Sequence, residues 1–268
     1  LTAEQLASIA PPAALTLQIR SDDGFTAYLN GVEVARDRAP ATPAWNSAST
    51  LVRLDKDAYE WTSYSISGFA HLLKAGTNLL AIQGLNSSAS SNDALYGEDG
   101  ADVLHGENGN DDLFGASGND ELYGGNGRDL LRGRSGADLI DGGAGFDAAS
   151  YLASTGVTLA LDFSFASTGE AKGDRLFSIE AVIGSESGND RLAGNSRSNE
   201  LYGEGGNDTL YGRAGNDFLG GYTGDDKLYG EGGKDQLIGG SGKDLLSGGH
   251  NFDRLEGGSG SDTFRYDL

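Results

Sequence analysis

The sequence has no cysteine, only three histidines and no long apolar run, and each shortage excludes a class of function. Without cysteine the chain forms no disulfide bonds, and thiolate metal sites and cysteine–histidine catalytic pairs are excluded. His71, His105 and His250 stand in unrelated contexts, and neither H-E-x-x-H nor G-x-S-x-G occurs. No stretch of 18 apolar residues predicts a transmembrane segment. We therefore expect a non-catalytic chain, with any catalytic domain outside it.

Basic residues are also scarce, since 19 lysines and arginines stand against 40 aspartates and glutamates, for a net charge of −21. Residues 93–147 carry 13 acidic and 3 basic residues, and residues 185–268 carry 15 and 8, so these two stretches hold −17 of that charge. Such a surface repels phosphates, and we expect no nucleic-acid partner. Roughly nine divalent cations would offset the charge of the two stretches.

A period of nine residues organises both acidic stretches. Residues 97–105 read Gly-Glu-Asp-Gly-Ala-Asp-Val-Leu-His, and the next copy begins at Gly106. Glycine at the first and fourth positions permits a tight turn with positive φ, and leucine at the eighth is the inward side chain of a short strand. A unit this short buries no core alone, so the copies must stack as a solenoid. The aspartates at the sixth position are Asp102, Asp111, Asp120, Asp129, Asp138, Asp147, Asp190, Asp208, Asp217, Asp226, Asp235, Asp244, Asp253 and Asp262.

The eighth position supplies one column of apolar side chains in each stretch, and each buried member contributes about 1.5–3 kcal/mol. The predicted inward residues are Leu95, Leu104, Leu113, Leu122, Leu131 and Ile140, followed by Leu192, Leu201, Leu210, Leu219, Leu228, Leu237, Leu246, Leu255 and Phe264.

The spacing also predicts where the aspartates meet. If two nonads make one coil, residues 18 apart lie one strand spacing apart, about 4.8 Å, so Asp102, Asp120 and Asp138 share a column. Neighbouring charges at that distance repel by about 0.9 kcal/mol even in bulk water, so the column needs a cation. Oxygen ligands without nitrogen or sulfur favour a hard ion, Ca²⁺ ahead of Mg²⁺, because a loop of backbone carbonyls is flexible and roomy.

These nonads resemble the RTX, or hemolysin-type, calcium-binding repeats, whose consensus is G-G-x-G-x-D-x-U-x. The resemblance implies a parallel β-roll in which calcium loops alternate with three-residue strands. It also implies that sixth-position aspartates and main-chain carbonyls hold each ion. The first-position residues implied as carbonyl ligands are Gly97, Gly106, Gly115, Gly124, Gly133, Gly142, Gly203, Gly212, Gly221, Gly230, Gly239, Gly248 and Gly257. Those at the third position are Asp99, Asn108, Ser117, Asn126, Ser135, Ala144, Gly205, Ala214, Thr223, Gly232, Ser241, His250 and Ser259.

The first 92 residues differ in kind, because an Asn30-Gly31 turn and alternating segments predict antiparallel strands at 15–20, 25–29, 32–36, 59–66 and 78–83. Residues 21–36 with residues 76–83 resemble galactose-binding-like jelly-roll modules, which implies a β-sandwich and a polysaccharide or cell-surface glycan as candidate ligand. Trp45 and Trp61 fit core packing better than sugar stacking.

The whole chain is therefore predicted to be all-β. An antiparallel β-sandwich, 1–92, precedes an RTX roll block, 93–147, a β-rich spacer, 148–184, and a second RTX block, 185–268. Within the spacer, Asp174 and Glu180 fit either polar capping interactions, which we favour, or a terminal calcium site. Outward aromatic residues at the ninth position are predicted to stack within each sheet, Tyr96 with Phe114 and Tyr211 with Tyr229, and they fit shielding of the short strands better than sugar stacking.

One nonad departs from the consensus at the position that matters most. Asn199 replaces the aspartate, and Arg197 replaces the fourth-position glycine. An amide oxygen adds no charge, so we expect no ion between the loops that end at Asn199 and Asp217, with Arg197 supplying part of the missing positive charge. Asn251 in place of a glycine is milder, because asparagine tolerates positive φ.

The resemblance implies a secreted, extracellular or cell-surface region that leaves the cell unfolded through type I secretion machinery and folds on binding extracellular Ca²⁺. The chain starts at Leu1, and residues 261–268 resemble the last RTX nonad before a secretion region, so we expect a fragment of a longer protein. Two alternatives stay open: an adhesin or polysaccharide-binding region that uses the sandwich, and an accessory region of an extracellular enzyme.

Overall fold

The computed structural model describes residues 16–19, 25–29, 32–37, 62–65, 79–84 and 92–265. These residues form strands joined by turns, with one short 3-10 helix, Gly169–Ala171. They fall into two compact units, one ending at Asp147 and one beginning at Ala148. Within the described ranges no helix is long and apolar enough to cross a membrane.

The described strands of the first unit number eleven. They are β1 Thr16–Ile19, β2 Phe25–Leu29, β3 Val32–Asp37, β4 Thr62–Ser65, β5 Leu79–Gly84, β6 Ala94–Tyr96, β7 Ala101–Asn108, β8 Asp112–Ser117, β9 Glu121–Gly127, β10 Leu130–Ser135 and β11 Leu139–Gly145.

Two parallel sheets face each other in this unit, and odd and even nonads alternate between them. Strands β6, β8 and β10 form one sheet, and β7, β9 and β11 form the other. Leu113 pairs with Leu131 and Leu104 with Leu122, so residues 18 apart are neighbours. The register confirms the prediction of two nonads per coil and a parallel β-roll. Several strands exceed three residues because the loop backbone also pairs with the coil 18 residues on.

Before the first nonads, the described strands include antiparallel pairs. Strand β2 pairs with β3 and with β5, and β1 pairs with β4. The five strands lie close to the bounds predicted from the sequence alternation. A β-sandwich is not shown by these segments, and the tryptophans and the Asn30-Gly31 turn lie outside the described residues. Strand β5 adds an unforeseen feature, because it pairs in parallel with β7 and continues the sheet of the roll.

The second unit contains β12 Ala148–Ser150, β13 Thr158–Ala160, β14 Arg175–Phe177, β15 Ala181–Ile183, β16 Arg191–Ala193, β17 Glu200–Tyr202, β18 Thr209–Ala214, β19 Phe218–Thr223, β20 Lys227–Gly232, β21 Gln236–Gly242, β22 Leu245–Ser247, β23 Arg254–Gly260 and β24 Thr263–Arg265.

These strands again form two parallel sheets. The order in one is β12, β15, β17, β19, β21 and β23, and the order in the other is β13, β16, β18, β20, β22 and β24. Strands β13 and β15 belong to the predicted spacer, and both pair in parallel with strands of the repeats. The spacer therefore continues the roll of this unit.

The predicted inward column forms the core. The leucines from Leu95 to Leu131 and from Leu192 to Leu246 are almost wholly buried, as is Ile140. The last two members are the exceptions: Leu255 is half-buried and Phe264 is 40% exposed, because they lie where the described coils end. One buried leucine per nonad is thus the repeating unit of the core.

Candidate calcium sites

The sixth-position aspartates form buried columns along both units, as the 18-residue spacing predicts. In the first unit, the backbone N–H of Asp102 donates to Oδ1 of Asp120 at 3.0 Å, and that of Asp120 donates to Oδ1 of Asp138 at 2.9 Å. In the second unit, the N–H of Asp208 donates to Oδ1 of Asp226 at 2.8 Å. One carboxylate oxygen of each pair is therefore engaged by the preceding coil.

The second oxygen of the same carboxylates is buried without a hydrogen bond. This holds for Oδ2 of Asp120, Asp129, Asp208, Asp217, Asp226, Asp235 and Asp244. A buried acceptor that lacks a partner costs about 1–3 kcal/mol, and more when it is charged. A row of such atoms is suited to a cation.

The first-position glycines mark the space that these oxygens face. A Cβ added to Gly106 would lie 2.5 Å from Oδ2 of Asp111 and 2.6 Å from the carbonyl oxygen of Gly124. At Gly212 the corresponding distances are 2.5 Å to Oδ2 of Asp217 and 2.8 Å to the Gly230 carbonyl oxygen. Each loop thus keeps an oxygen-lined space that any side chain on the glycine would fill.

The other glycine requirement is conformational. The fourth-position glycines adopt positive φ, as at Gly233 with φ 142°. The second position also has positive φ, although glutamate, arginine, alanine or tyrosine often occupies it, as at Ala116 with φ 77°. The consensus has glycine here, but this chain often does not, so the positive φ at these side-chain-bearing residues was not predicted from the sequence.

Third-position carbonyls, which the sequence analysis assigned as ligands by resemblance, are already hydrogen-bonded in several coils. The N–H of Gly100 donates to the Ser117 carbonyl at 2.8 Å, and the N–H of Gly224 donates to the Ser241 carbonyl at 2.9 Å. A carbonyl oxygen has a second lone pair, so this bond leaves one acceptor site. First-position carbonyls, which face the Oδ2 atoms, have the more direct geometry for a cation.

Burial favours the protonated form of these carboxyl groups. It raises the pKa of Asp120, Asp129 and Asp226 to about 6 and that of Asp208 and Asp217 to about 7. The N–H donated by the preceding coil acts in the opposite direction. Neighbouring aspartate charges add to the rise, as Asp190 and Asp226 do for Asp208. Removing charge from water is the dominant cost at these sites.

Calcium fits this donor set. No three histidine, aspartate or glutamate side chains converge on one point anywhere in the part of the chain that the structure describes. A cation in these columns would therefore meet carboxylate oxygens together with main-chain carbonyls, an all-oxygen set that suits Ca²⁺ because that ion accepts carbonyls and flexible geometry.

In two loops at the start of the second array, the sixth-position side chain accepts a hydrogen bond from the backbone of its own loop. Oδ1 of Asn199 accepts the N–H of Asn195 at 2.8 Å, where the aspartates of other loops leave an oxygen without a hydrogen bond. Arg197 is exposed, and its role in supplying part of the missing positive charge stays a prediction.

Asp190 is the other exception. The loop before it is one residue longer than the consensus, and its Oδ2 accepts the N–H of Ser185 at 2.6 Å. The Ser185 hydroxyl lies 3.0 Å from the same oxygen, and Oδ1 accepts the Val157 N–H at 2.6 Å. Both carboxylate oxygens of Asp190 therefore have hydrogen bonds, unlike those of Asp208 and Asp217. The sequence did not predict this difference, because Asp190 stands at the regular sixth position.

The structure adds one member to the columns and explains another polar residue. Asp93 is buried, and its N–H donates to Oδ1 of Asp111 at 2.7 Å, although its loop lacks the glycines. Leu95, two residues later at the inward position, was the signal for it. Asp174 accepts the hydroxyl of Tyr151 at 2.9 Å, in line with the polar capping contact favoured over a calcium site.

The fold and these columns together define a parallel β-roll with calcium-type loops. The family model described as "RTX calcium-binding nonapeptide repeat (4 copies)" matches residues 88–122, 114–148, 185–219, 220–246 and 238–267. The matches cover more than half of the chain, and the chain therefore belongs to this RTX repeat family. A search of curated proteins found no match.

Proposed function

We propose that this chain is a calcium-binding region that folds when it meets extracellular Ca²⁺. It would be a non-catalytic part of a larger protein exported by type I secretion machinery. The observation that carries the proposal is the row of buried Oδ2 atoms without hydrogen bonds, several of which lie beside a first-position glycine carbonyl, as for Asp129, Asp217 and Asp226.

The residues that would hold calcium follow from this arrangement. Oδ2 of a sixth-position aspartate lies beside a first-position carbonyl oxygen of the next coil of the same column. Asp217 and Gly230 form one such pair, since Gly230 lies 18 residues after Gly212, the first-position glycine of the Asp217 loop. Bound calcium supplies positive charge where stacked carboxylates repel one another. Any side chain at the first position would fill this space, so glycine there keeps it open for the ion.

The thermodynamic reason for coupled folding is that each coil buries few apolar side chains. One leucine per nonad contributes about 1.5–3 kcal/mol, whereas ordering nine residues costs about 1–2 kcal/mol each in backbone entropy. The repeats therefore need the free energy of ion binding to fold. Calcium-dependent folding also suits export, since a chain without ions would stay extended in a calcium-poor cytoplasm.

Circular dichroism tests the proposal on the full chain, first with a chelator and then over a titration of Ca²⁺. We expect the β signal of the repeats to appear cooperatively with Ca²⁺ and not with equal concentrations of Mg²⁺, whose octahedral preference fits carbonyl loops poorly. A β signal that stays unchanged across the titration would refute calcium-dependent folding.

A further inference from the structure

Aromatic rings stack along the outer faces of the sheets at the ninth position of the repeat. In the first unit Tyr96 and Phe114 stack with ring centroids 4.6 Å apart and planes 5° from parallel. In the second unit Tyr211 and Tyr229 stack at 5.2 Å and 13°. Both pairs were predicted from the sequence, and each forms two rungs of a ladder that rises one rung per coil.

The ladder of the first unit has a third rung, and it is a guanidinium. Arg132 pairs in register with Phe114, and its guanidinium carbon lies 4.3 Å from the centroid of the Phe114 ring. The same guanidinium forms an ion pair with Asp112. A planar cation over an aromatic face and beside a carboxylate is a favourable arrangement, and here both partners belong to the same chain.

The ladder of the second unit is interrupted after two rungs, and Arg265 occupies the ninth position one coil further on, in register with Ser247. Ser247 pairs in register with Tyr229 and brings no ring or guanidinium, and the second-position residue of the same coil is Gly249. A hollow of about 240 Å³ lies there, lined by Tyr229, Glu231, Ser247, Gly249 and His250. We call it the ladder hollow.

The charge at the ladder hollow points to a cation. Second-position residues in successive coils are Arg213, Glu231 and Gly249. Arg213 lies 3.4 Å from Glu231 in a loose ion pair, and the Glu231 side chain remains 40% exposed. A carboxylate accepts several hydrogen bonds, so Glu231 can receive a second donor from the side of Gly249. A positive group there would continue the alternation of charge.

The ladder of the other sheet in this unit shows that a small ninth-position residue alone does not leave a hollow. At Gly220 the missing side chain is replaced by two rings of the chain itself, because a Cβ there would lie 3.1 Å from Tyr222 and 3.3 Å from Phe218. Tyr202 contacts both of these rings, at 6.2 and 5.5 Å. The ladder hollow, by contrast, has an aromatic wall and a carboxylate.

We propose that the ladder hollow binds the guanidinium group of an arginine side chain from another polypeptide. The guanidinium stacks on the open face of Tyr229 and donates to Glu231, as Arg132 does with Phe114 and Asp112 in the first unit. Ser247 and Gly249 leave the room that it needs. An anionic ligand is disfavoured by Glu231 and by the net charge of −21.

Two-dimensional NMR of the calcium-saturated full chain tests this, with Nα-acetyl-L-arginine amide as the probe. We expect shifts of the Ser247 and Gly249 amides with a dissociation constant on the order of millimolar, because the contacts are partly exposed. Nα-acetyl-L-citrulline amide has nearly the same shape without the charge, and it should bind roughly threefold to fivefold more weakly. Site-resolved shifts separate this hollow from a wider one in the first unit that includes His105 and Tyr123.

Three variants separate the contacts. Glu231→Gln should lower the affinity for the arginine probe to that for the citrulline probe. Tyr229→Leu should also lower the affinity for the arginine probe, whereas Tyr229→Phe should retain it. Ser247→Arg should supply the third rung from within the chain and abolish binding. Equal binding of the two probes, or unchanged binding in both Glu231→Gln and Tyr229→Leu, would overturn the proposal. So would methyl glucoside shifting the same amides when the arginine probe does not.

Discussion

Replacing Asp226 by asparagine should weaken two neighbouring calcium sites at once. The Oδ1 of Asp226 accepts the N–H of Asp208, and its Oδ2 is buried without a hydrogen bond. Coils that carry Asp208 and Asp244 lie on either side. Asparagine keeps an acceptor for the Asp208 N–H but removes the charge and replaces the second oxygen with an amide nitrogen. The change is therefore nearly isosteric and acts on the cation.

The size of the effect follows from binding linkage. With free Ca²⁺ at 100 times its dissociation constant, each site stabilises the fold by about 2.7 kcal/mol, so losing two sites costs about 5 kcal/mol. The matched control is Asp190→Asn, because Oδ2 of Asp190 accepts a hydrogen bond from Ser185. This control should cost about 1–3 kcal/mol for the disturbed hydrogen bond, whatever the calcium concentration.

Urea unfolding at a series of free Ca²⁺ concentrations distinguishes these effects, since the dependence of the unfolding free energy on the logarithm of calcium counts the ions released. Asp226→Asn should lower that slope by up to two ions, and native mass spectrometry should count the same loss. Asp190→Asn should shift the whole curve without changing its slope. Equal loss of slope in the two variants would refute the column of shared sites.

Three further changes test other features of the roll. Gly233→Ala would drive a Cβ into the Gly215 carbonyl at a positive φ and should cost about 3 kcal/mol or more, whereas Ala116→Gly should relieve strain and stabilise by about 1 kcal/mol in thermal unfolding. Leu210→Ala should cost about 2–5 kcal/mol at saturating calcium, and Phe264→Ala, whose side chain is 40% exposed, clearly less. Because burial raises the pKa of Asp208 to about 7, from 3.8, protonation should offset part of the cost of folding without calcium, and this contribution should fade as the pH rises through 7. Circular dichroism in chelator from about pH 5 to pH 8 should therefore show more β signal at the acidic end. Calcium affinity should instead fall as the pH drops below 7, which calorimetric titration with Ca²⁺ over the same range would check.

Several features of the site were accessible from the sequence because they are local and repeat. Glycine at position 233 predicts a backbone with positive φ, which only glycine adopts easily. Leucine at position 210 predicts the one inward side chain of a short strand. A period of nine with two nonads per coil then determines the columns, the register and the inward core. The family assignment needed nothing more.

Other features depend on atoms from different coils and are invisible to the period. Asp190 and Asp226 occupy the same position of the repeat, yet the longer loop before Asp190 places Ser185 on its carboxylate. Oδ1 of Asn199 likewise accepts a hydrogen bond from the backbone N–H of Asn195, a contact that the sequence did not predict. The sequence determined which residues form the columns, because spacing and backbone preference are local. Only the tertiary structure decided which oxygens keep no hydrogen bond, because that depends on what the neighbouring loop and coil bring within about 3 Å.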